Sequence, residues 1–302
     1  MKYTVIVLLI LITQSYLSAQ NRSTENDWTK DNLKGKVLSY TEFSHAVEER
    51  SGKIEKGNLE YSNQFKYNEK GNLTEWNQYN SDGNLDRKEI YTYDKNGNQL
   101  ERNSYYADGS LELKRTFKYD KEGNVIERNW YNSGGALESR DTFKYDSKGN
   151  QLEENSYYSD DSLARKYIYK YDVAGNMVEQ HSYNAEESLT GRGTFKYDAK
   201  GNMIEQNSYD SKGNLEIKAT FKYDEKGNQL EHNSYYSDGS LEGKETYKYD
   251  EKGNMIEYSS YSSGGIDKET YKHDQKGNWI ECTKSKDGVQ SLILEREYVY
   301  YN

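Results

Sequence analysis

From about residue 35 onward, apolar and polar residues alternate with a period of two, in short runs broken by glycine turns. The stretch 225–250 shows the pattern. In its second half Leu241, Gly243, Glu245, Tyr247 and Tyr249 share one face, and Glu242, Lys244, Thr246 and Lys248 share the other. Such alternation marks β-strands with unlike faces, because successive side chains point to opposite sides of the pleat. Glu225-Lys226-Gly227 predicts a turn, Asn228 to Tyr236 a strand, Ser237-Asp238-Gly239 a second turn, and Ser240 to Asp250 a second strand. Both turns match three-residue hairpin loops, a type I turn closed by a left-handed residue where glycine has no Cβ to clash. Asp224, just ahead of the first loop, is placed to accept backbone N–H bonds from it.

The same unit recurs nine times. The string Phe-Lys-Tyr-Asp-x-Lys-Gly-Asn returns with small changes, its glycines at Gly71, Gly97, Gly123, Gly149, Gly175, Gly201, Gly227, Gly253 and Gly277. Every step is 26 residues except the last, which is 24. Gly83, Gly109, Gly135, Gly213, Gly239 and Gly265 mark the second turn, whereas Asp161 and Glu187 stand where glycine is expected. A left-handed residue with a Cβ costs ~1–2 kcal/mol. Those two hairpins are therefore expected to be the softest, or to use another turn.

Stacked units would build one ladder from Leu100, Ile126, Leu152, Val178, Ile204, Leu230, Ile256 and Ile280. A second would run through Phe65, Tyr91, Phe117, Phe143, Tyr169, Phe195, Phe221, Tyr247 and Tyr271. Cross-strand pairs of these kinds contribute ~0.2–1 kcal/mol each, so no unit stands alone but neighbours can hold a common sheet. The expected fold is all-β, tandem antiparallel β-hairpin repeats of 26-residue period in a long curled or spiral sheet. Some twenty strands at ~4.8 Å would extend ~95 Å along the contour, and an open twisted sheet of that length must curl.

The ends differ from the repeats. Lys2, the apolar run Val5 to Ile12 and the small residues before Gln20 have the layout of a secretory signal peptide over residues 1–19, cleaved after Ala19. The run is short of the ~20 residues needed to span a bilayer. An uncleaved N-terminal anchor is the alternative, and either way the rest of the chain is exported. After cleavage no transmembrane span is expected, and the location is secreted or cell-surface, with the periplasm also open. Residues 20–34 are expected to be a polar linker, 35–64 a divergent capping hairpin around Val37-Leu38-Ser39-Tyr40, 65–284 the repeats, and 285–302 a capping segment with a turn at Asp287-Gly288.

Composition narrows the function. Only 33% of residues are hydrophobic and 30% are charged, which could be read as disorder. The 32 tyrosines and the regular repeats argue for a folded chain. A net charge of -10, with no concentrated basic stripe, excludes nucleic acid as an expected partner. Cys282 is the only cysteine, so no intramolecular disulfide or cysteine metal site is available. It is expected to be a small buried strand residue.

Catalytic constellations are missing from the pattern. His45, His181, His232 and His273 occupy unrelated positions in the repeat, without metal-ligand spacing. Glu75, Glu101, Glu127, Glu153, Glu179, Glu205, Glu231, Glu257 and Glu281 recur in every copy and read as a charge ladder facing lysines, since an active site is a singular arrangement. The turn aspartates read as caps and not as calcium ligands. No cofactor, metal or catalytic residue is expected.

One row carries functional promise. Tyr79, Tyr105, Tyr131, Tyr157, Tyr183, Tyr209, Tyr235 and Tyr261 stand eight residues after the first-turn glycine. Strict alternation places them with the Glu and Asn residues, opposite the Leu/Ile ladder. As an exposed row they suit stacking on sugar rings or on a partner protein. The alternative is that a bulge turns them into the core, or that the sheet rolls and buries both faces.

At Tyr223-Asp224-Glu225-Lys226-Gly227-Asn228 and its copies, over about residues 60–302, the chain resembles the YD-repeat or RHS-repeat family. The resemblance implies hairpins joined in long curled sheets on secreted or surface-exposed bacterial proteins. The style is that of short exported repeat proteins of Bacteroidetes-like bacteria. Some large members of the family wrap the sheet into a shell around a toxin domain, and carbohydrate binding has been proposed for others. The chain departs from it in having Gly-Asn where Gly-Arg is common, and in having no proline. The expected function is a non-catalytic binding module for a glycan or envelope polysaccharide, working by multivalency. Alternatives are an envelope scaffold that binds an envelope protein or self-associates through its sheet ends, a shell fragment related to RHS toxins, and, last, a hydrolase.

Overall fold

The computed structural model describes residues 26–302, so the expected signal peptide and the first part of the linker lie outside the described residues. A short helix, α1 (Asp27–Lys30), precedes twenty strands. β1 (Val37–Arg50) and β2 (Lys53–Tyr67) form the opening hairpin. β3 (Leu73–Asn80), β4 (Leu85–Tyr93), β5 (Gln99–Tyr106), β6 (Leu111–Tyr119), β7 (Val125–Asn132), β8 (Leu137–Tyr145), β9 (Gln151–Tyr158) and β10 (Leu163–Tyr171) follow. Next come β11 (Met177–Tyr183), β12 (Leu189–Tyr197), β13 (Met203–Asp210), β14 (Leu215–Tyr223), β15 (Gln229–Tyr236) and β16 (Leu241–Tyr249). β17 (Met255–Ser262), β18 (Gly265–His273), β19 (Trp279–Lys286) and β20 (Val289–Tyr300) complete the set.

Each strand pairs antiparallel with its neighbours in sequence, and β20 pairs antiparallel with β1. The closing register runs from Ser39↔Val299 to Ala46↔Leu292. The repeats therefore form a closed barrel and not the open curled or spiral ribbon expected from the sequence. Closure removes the free strand edges of an open sheet, so the sheet ends invoked for self-association do not exist.

The turns are those the sequence predicts, with an added bulge. At the first turn Gly227 sits at φ +90° and its N–H bonds the Asp224 carbonyl at 3.1 Å. Asp224 Oδ1 accepts the N–H groups of Lys226 and Asn228 at 2.9 and 2.8 Å, and its Oδ2 accepts the Asn228 amide at 2.8 Å. The Asn after the glycine thus clasps the aspartate. Just beyond, Lys222 faces Glu231 but Tyr223 faces Gln229, which leaves Leu230 as an extra, bulged residue. Every hairpin between β2 and β19 except β17–β18 has such a register shift. Bulges raise local twist and bending, and repeated at this frequency they turn the ribbon back on itself.

These bulges explain two residue patterns. Leu100, Ile126, Leu152, Ile204, Leu230, Ile256 and Ile280 stand on them and are 38–40% exposed, so they do not form the expected buried ladder. In several of the Tyr-Asp turns the tyrosine reaches back to the carbonyl beside a bulge: Tyr119 to Gln99 at 2.7 Å, Tyr145 to Val125, Tyr171 to Gln151 and Tyr223 to Met203 at 2.8 Å, and Tyr249 to Gln229 at 2.9 Å.

The 24-residue step comes from β17–β18, where Ser262 faces Gly265 across a two-residue loop without a bulge. One loop residue and one bulge residue are lost. An even deletion keeps the alternation, so no face is inverted. Asp161 and Glu187 keep the ordinary turn, at φ +63° and +54°.

Polar residues dominate the interior of this wall. Sixteen polar or charged residues are buried among the described ones, against nine hydrophobic ones. A hydrophobic cluster, Leu33, Val37, Tyr40 and Tyr67 with Trp28, Phe65, Leu73, Tyr298 and Tyr300, lies at the seam where β1 meets β2 and β20. The segment expected to be linker is docked there from residue 26 on. Trp28 Nε1 donates to the Val37 carbonyl at 2.7 Å, and Asp27 Oδ2 accepts Leu73 N–H at 2.6 Å. Trp28 and Leu33 supply apolar surface that a linker would leave in water. Gly71 is required here, because a Cβ would come within 2.5 Å of Asn26 and Trp28.

Candidate binding faces

Strand pairing divides the barrel wall into two faces. On the first, Glu231, Asn233 and Tyr235 alternate without interruption, and across from them stand Lys222, Thr246 and Lys244. Glu231 is held by Lys222 at 2.8 Å, Lys244 at 2.7 Å and Asn233 at 2.7 Å. Those three partners hold its carboxyl down at about 2. Glu205 is held to about 2 in the same way by Lys196, Lys218 and Asn207. Burial pushes Glu75 up, but Lys66, Asn77 and Lys88 bring it to about 2 as well. The recurring carboxylates form the charge ladder that the sequence suggests. A general acid needs a raised value instead.

The eight candidate tyrosines lie on this face, because the bulges fall at positions such as Leu230 and Glu242 and leave the Glu-Asn-Tyr alternation intact. Tyr79, Tyr105, Tyr131, Tyr157, Tyr183, Tyr209 and Tyr235 are half-buried and Tyr261 is 39% exposed. Seven of them stand directly across from a cation: Tyr105 from Lys88, Tyr131 from Lys114, Tyr157 from Arg140, Tyr183 from Lys166, Tyr209 from Arg192, Tyr235 from Lys218, and Tyr261 from Lys244. The Arg140 and Arg192 guanidiniums lie over their rings at 4.9 and 4.7 Å. Tyr79 is opposite Ser62. The structure thus sets the row on every second strand, ~9.6 Å apart at ~4.8 Å per strand, with a cation across from seven of the eight and over the ring at Tyr157 and Tyr209.

The second face holds a belt that does not follow the repeat. Cross-strand partners there are Trp76 with Glu89, Arg102 with Arg115, Arg128 with Asp141, Glu154 with Tyr167, His232 with Glu245, and Tyr258 with Glu269. Arg102 grips Glu89 through Nη2 at 2.7 Å and Nε at 3.0 Å. Burial opposes the Glu89 charge, yet Arg102, Tyr91 and Ser104 together hold its carboxyl below the usual range. Arg128 binds Asp141 at 2.7 Å and lies over Trp130 at 4.6 Å. Burial raises Glu154 above the ordinary carboxylate value. Arg296 bonds Glu42 at 2.9 Å and stacks over Trp279 at 3.7 Å. The signal was present in the sequence as its opposite: these positions change residue type from unit to unit, whereas the repeat holds its neighbours constant.

The remaining candidates are dispersed. His45 approaches Glu295 at 3.6 Å, His181 meets Glu179 at 2.8 Å, and His232 stacks on Phe221 at 4.7 Å and meets Glu245 at 3.1 Å. Among the described residues no group of three or more His, Cys, Asp or Glu side chains is placed to hold a metal. Cys282 is buried, and burial pushes its thiol up to about 12. No described helix is long and apolar enough to cross a membrane.

No protein-family model matches the chain, and no curated protein does either. Among solved structures, the chain is similar to TcdB2-TccC3 at 14% identity, with 86% of this chain covered, 17% of that one, and a TM-score of 0.34. It therefore spans less than a fifth of that chain. A porin-like protein from Bacteroides uniformis ATCC 8492 is 11% identical over 87% of this chain and 96% of its own, with a TM-score of 0.37. A porin-like protein from Bacteroides vulgatus ATCC 8482 is 10% identical over 88% and 98%, with a TM-score of 0.30. Scores of this size carry no conclusion about fold or activity, and the closed barrel rests on its own strand pairing.

Proposed function

We propose that this chain is an exported, non-catalytic barrel of the YD-repeat type that binds a glycan or envelope polysaccharide through its tyrosine row. The observation that carries this reading is the register placing seven row tyrosines directly opposite Lys or Arg. Each pair offers an aromatic edge, a cation and a neighbouring Asn or Glu, and the pairs recur at even spacing. Many weak equivalent contacts on one rigid wall give useful avidity to a polymer without any deep pocket. The Glu carboxyls held low by paired lysines support the non-catalytic part of the reading, since none is free to donate a proton near neutral pH.

A second reading, an envelope scaffold or shell without sugar binding, is favoured by closure itself, which makes a ring with no free strand edge. Binding of residues 20–302 to a panel of neutral and acidic glycans separates the two, beside a variant carrying Tyr157→Ala, Tyr183→Ala and Tyr209→Ala. Binding lost in the variant with its β-sheet spectrum intact supports the tyrosine row. No binding by the parent protein to any glycan overturns it in favour of the scaffold.

A further inference from the structure

The belt on the second face contains one arrangement at odds with its surroundings. Where the pairs Arg128–Asp141 and His232–Glu245 join unlike groups, β5 and β6 set Arg102 directly opposite Arg115. Like charges facing each other across an antiparallel ladder are destabilising. Arg102 is neutralised by Glu89, and Arg128, one strand beyond Arg115, is neutralised by Asp141. No acceptor among the described residues meets Arg115, and its Nε is buried without a hydrogen-bond partner. Burial, followed by the charges of Arg102 and Arg128, makes its protonated state less favourable than usual, with only Glu89 and Tyr91 acting the other way. A buried Nε donor left open on a half-buried guanidinium, in a belt whose other arginines are paired, calls for an acceptor from outside the chain.

We propose that Arg115 anchors a binding site for a ligand oxyanion, a carboxylate or a phosphate, seated on its guanidinium beside Trp130. Trp130 stands directly across from Arg115 on β7, with the Arg128 guanidinium over its ring at 4.6 Å. The site therefore has the planar guanidinium of Arg115, the one belt arginine without a carboxylate partner among the described residues since Arg102 and Arg128 are already paired, and the Trp130 ring as an aromatic surface for the body of the ligand. It lies on the opposite face from the tyrosine row, occurs once, and is independent of polymer binding by that row.

Calorimetric titration of the full mature chain, residues 20–302, with glucuronate, inorganic phosphate and glucose tests the site. Indole fluorescence is followed in parallel with a Trp130→Phe variant as reference. Glucuronate or phosphate is expected to bind at one site per chain and change the Trp130 signal, while glucose does not. Binding by glucuronate alone assigns the carboxylate source, and by phosphate alone the phosphoryl source. Arg115→Lys, which keeps a charge but loses the fork, is expected to weaken binding about tenfold or more. Arg115→Met is expected to abolish it while leaving the melting temperature unchanged or higher, since it removes a like-charge pair and an orphan donor. Failure of the parent chain to bind either anion overturns the proposal. So does unchanged affinity in the folded Arg115→Met or Arg115→Lys variant.

Discussion

The Arg140 guanidinium meets the Asp161 carboxylate at 2.7 Å, from a turn position where other copies of the unit have glycine. Arg140 lies on β8 and Asp161 in the β9–β10 turn, so the pair links one hairpin to the next. Lys166 reaches Glu187 at 3.5 Å in the following hairpin. At the glycines of this same rim, such as Gly83, Gly109, Gly135, Gly213 and Gly239, an added Cβ would meet nothing within 4 Å. The opposite rim is tighter. There Lys200 and Lys226 donate to the Glu225 and Glu251 carbonyls of the next turn at 2.8 and 2.9 Å. The two non-glycine turns thus add ionic links between adjacent hairpins on this rim.

Restoring glycine weighs that link against backbone strain. An exposed ion pair contributes ~0–1 kcal/mol, while left-handed strain in a residue with a Cβ costs ~1–2 kcal/mol. Glu187→Gly is expected to stabilise the fold by about 1 kcal/mol. Asp161→Gly gains less, because its ion pair is shorter and aspartate tolerates the left-handed region better. Thermal unfolding of the two variants beside the parent checks the order; a lower melting temperature for Glu187→Gly would contradict it.

The turn tyrosines Tyr119, Tyr145, Tyr171, Tyr223 and Tyr249 use the hydroxyl as well as the ring. Tyr223→Phe removes the 2.8 Å bond to the Met203 carbonyl beside a bulge. A loss of about 1 kcal/mol is expected, the usual net value of such a bond with some added penalty if water cannot replace it. Tyr235→Phe on the other face serves as control and should change denaturant midpoints by much less.

Closure depends on charges at the seam. Arg296 is largely buried, bonds Glu42 at 2.9 Å, and stacks on Tyr40 at 4.5 Å and Trp279 at 3.7 Å. Arg296→Ala leaves Glu42 partly buried without its cation, which for buried pairs costs about 3–5 kcal/mol. The β1–β20 ladder should then open and expose two strand edges. A lowered melting temperature together with concentration-dependent association in light scattering is the expected result. A variant with unchanged stability and unchanged light scattering would show that the seam does not rely on this pair.

Acid should loosen the ladder face first. Glu75, Glu205 and Glu231 have folded values of about 2 against an ordinary 4.5. Their stabilising contribution is complete above about pH 4.5 and is lost as pH falls from there through 2, because the unfolded chain takes up protons first. Melting temperature should therefore hold from pH 7 to about 5 and then decline. Replacing Lys222 and Lys244 by methionine should flatten that decline, which proton titration of Glu231 by NMR can confirm at the residue.

Local physics was legible in the sequence. Gly227 and its equivalents mark left-handed turn positions because only the missing Cβ makes them easy. Asp224 marks the cap of that turn, with the added clasp by Asn228 visible only in the structure, and the alternation from Glu231 to Tyr235 sets which residues share a face. Each of these depends on residues within a few positions of one another. The belt was hidden by the same regularity, because Arg102, Arg115 and Asp141 look like noise within a repeat until pairing sets 102 opposite 115 and 128 opposite 141.

What the amino-acid order determined alone was the hairpin, its turns, its two faces and the number of copies. Tertiary structure decided that β1 and β20 meet. That outcome sums a small bend at each of many bulges, such as the one at Leu230, over twenty strands, and no single unit contains it. The Leu and Ile residues are partly exposed for the same reason: a bulge adds one residue to the strand, and a period-two reading cannot place the side chain it inserts.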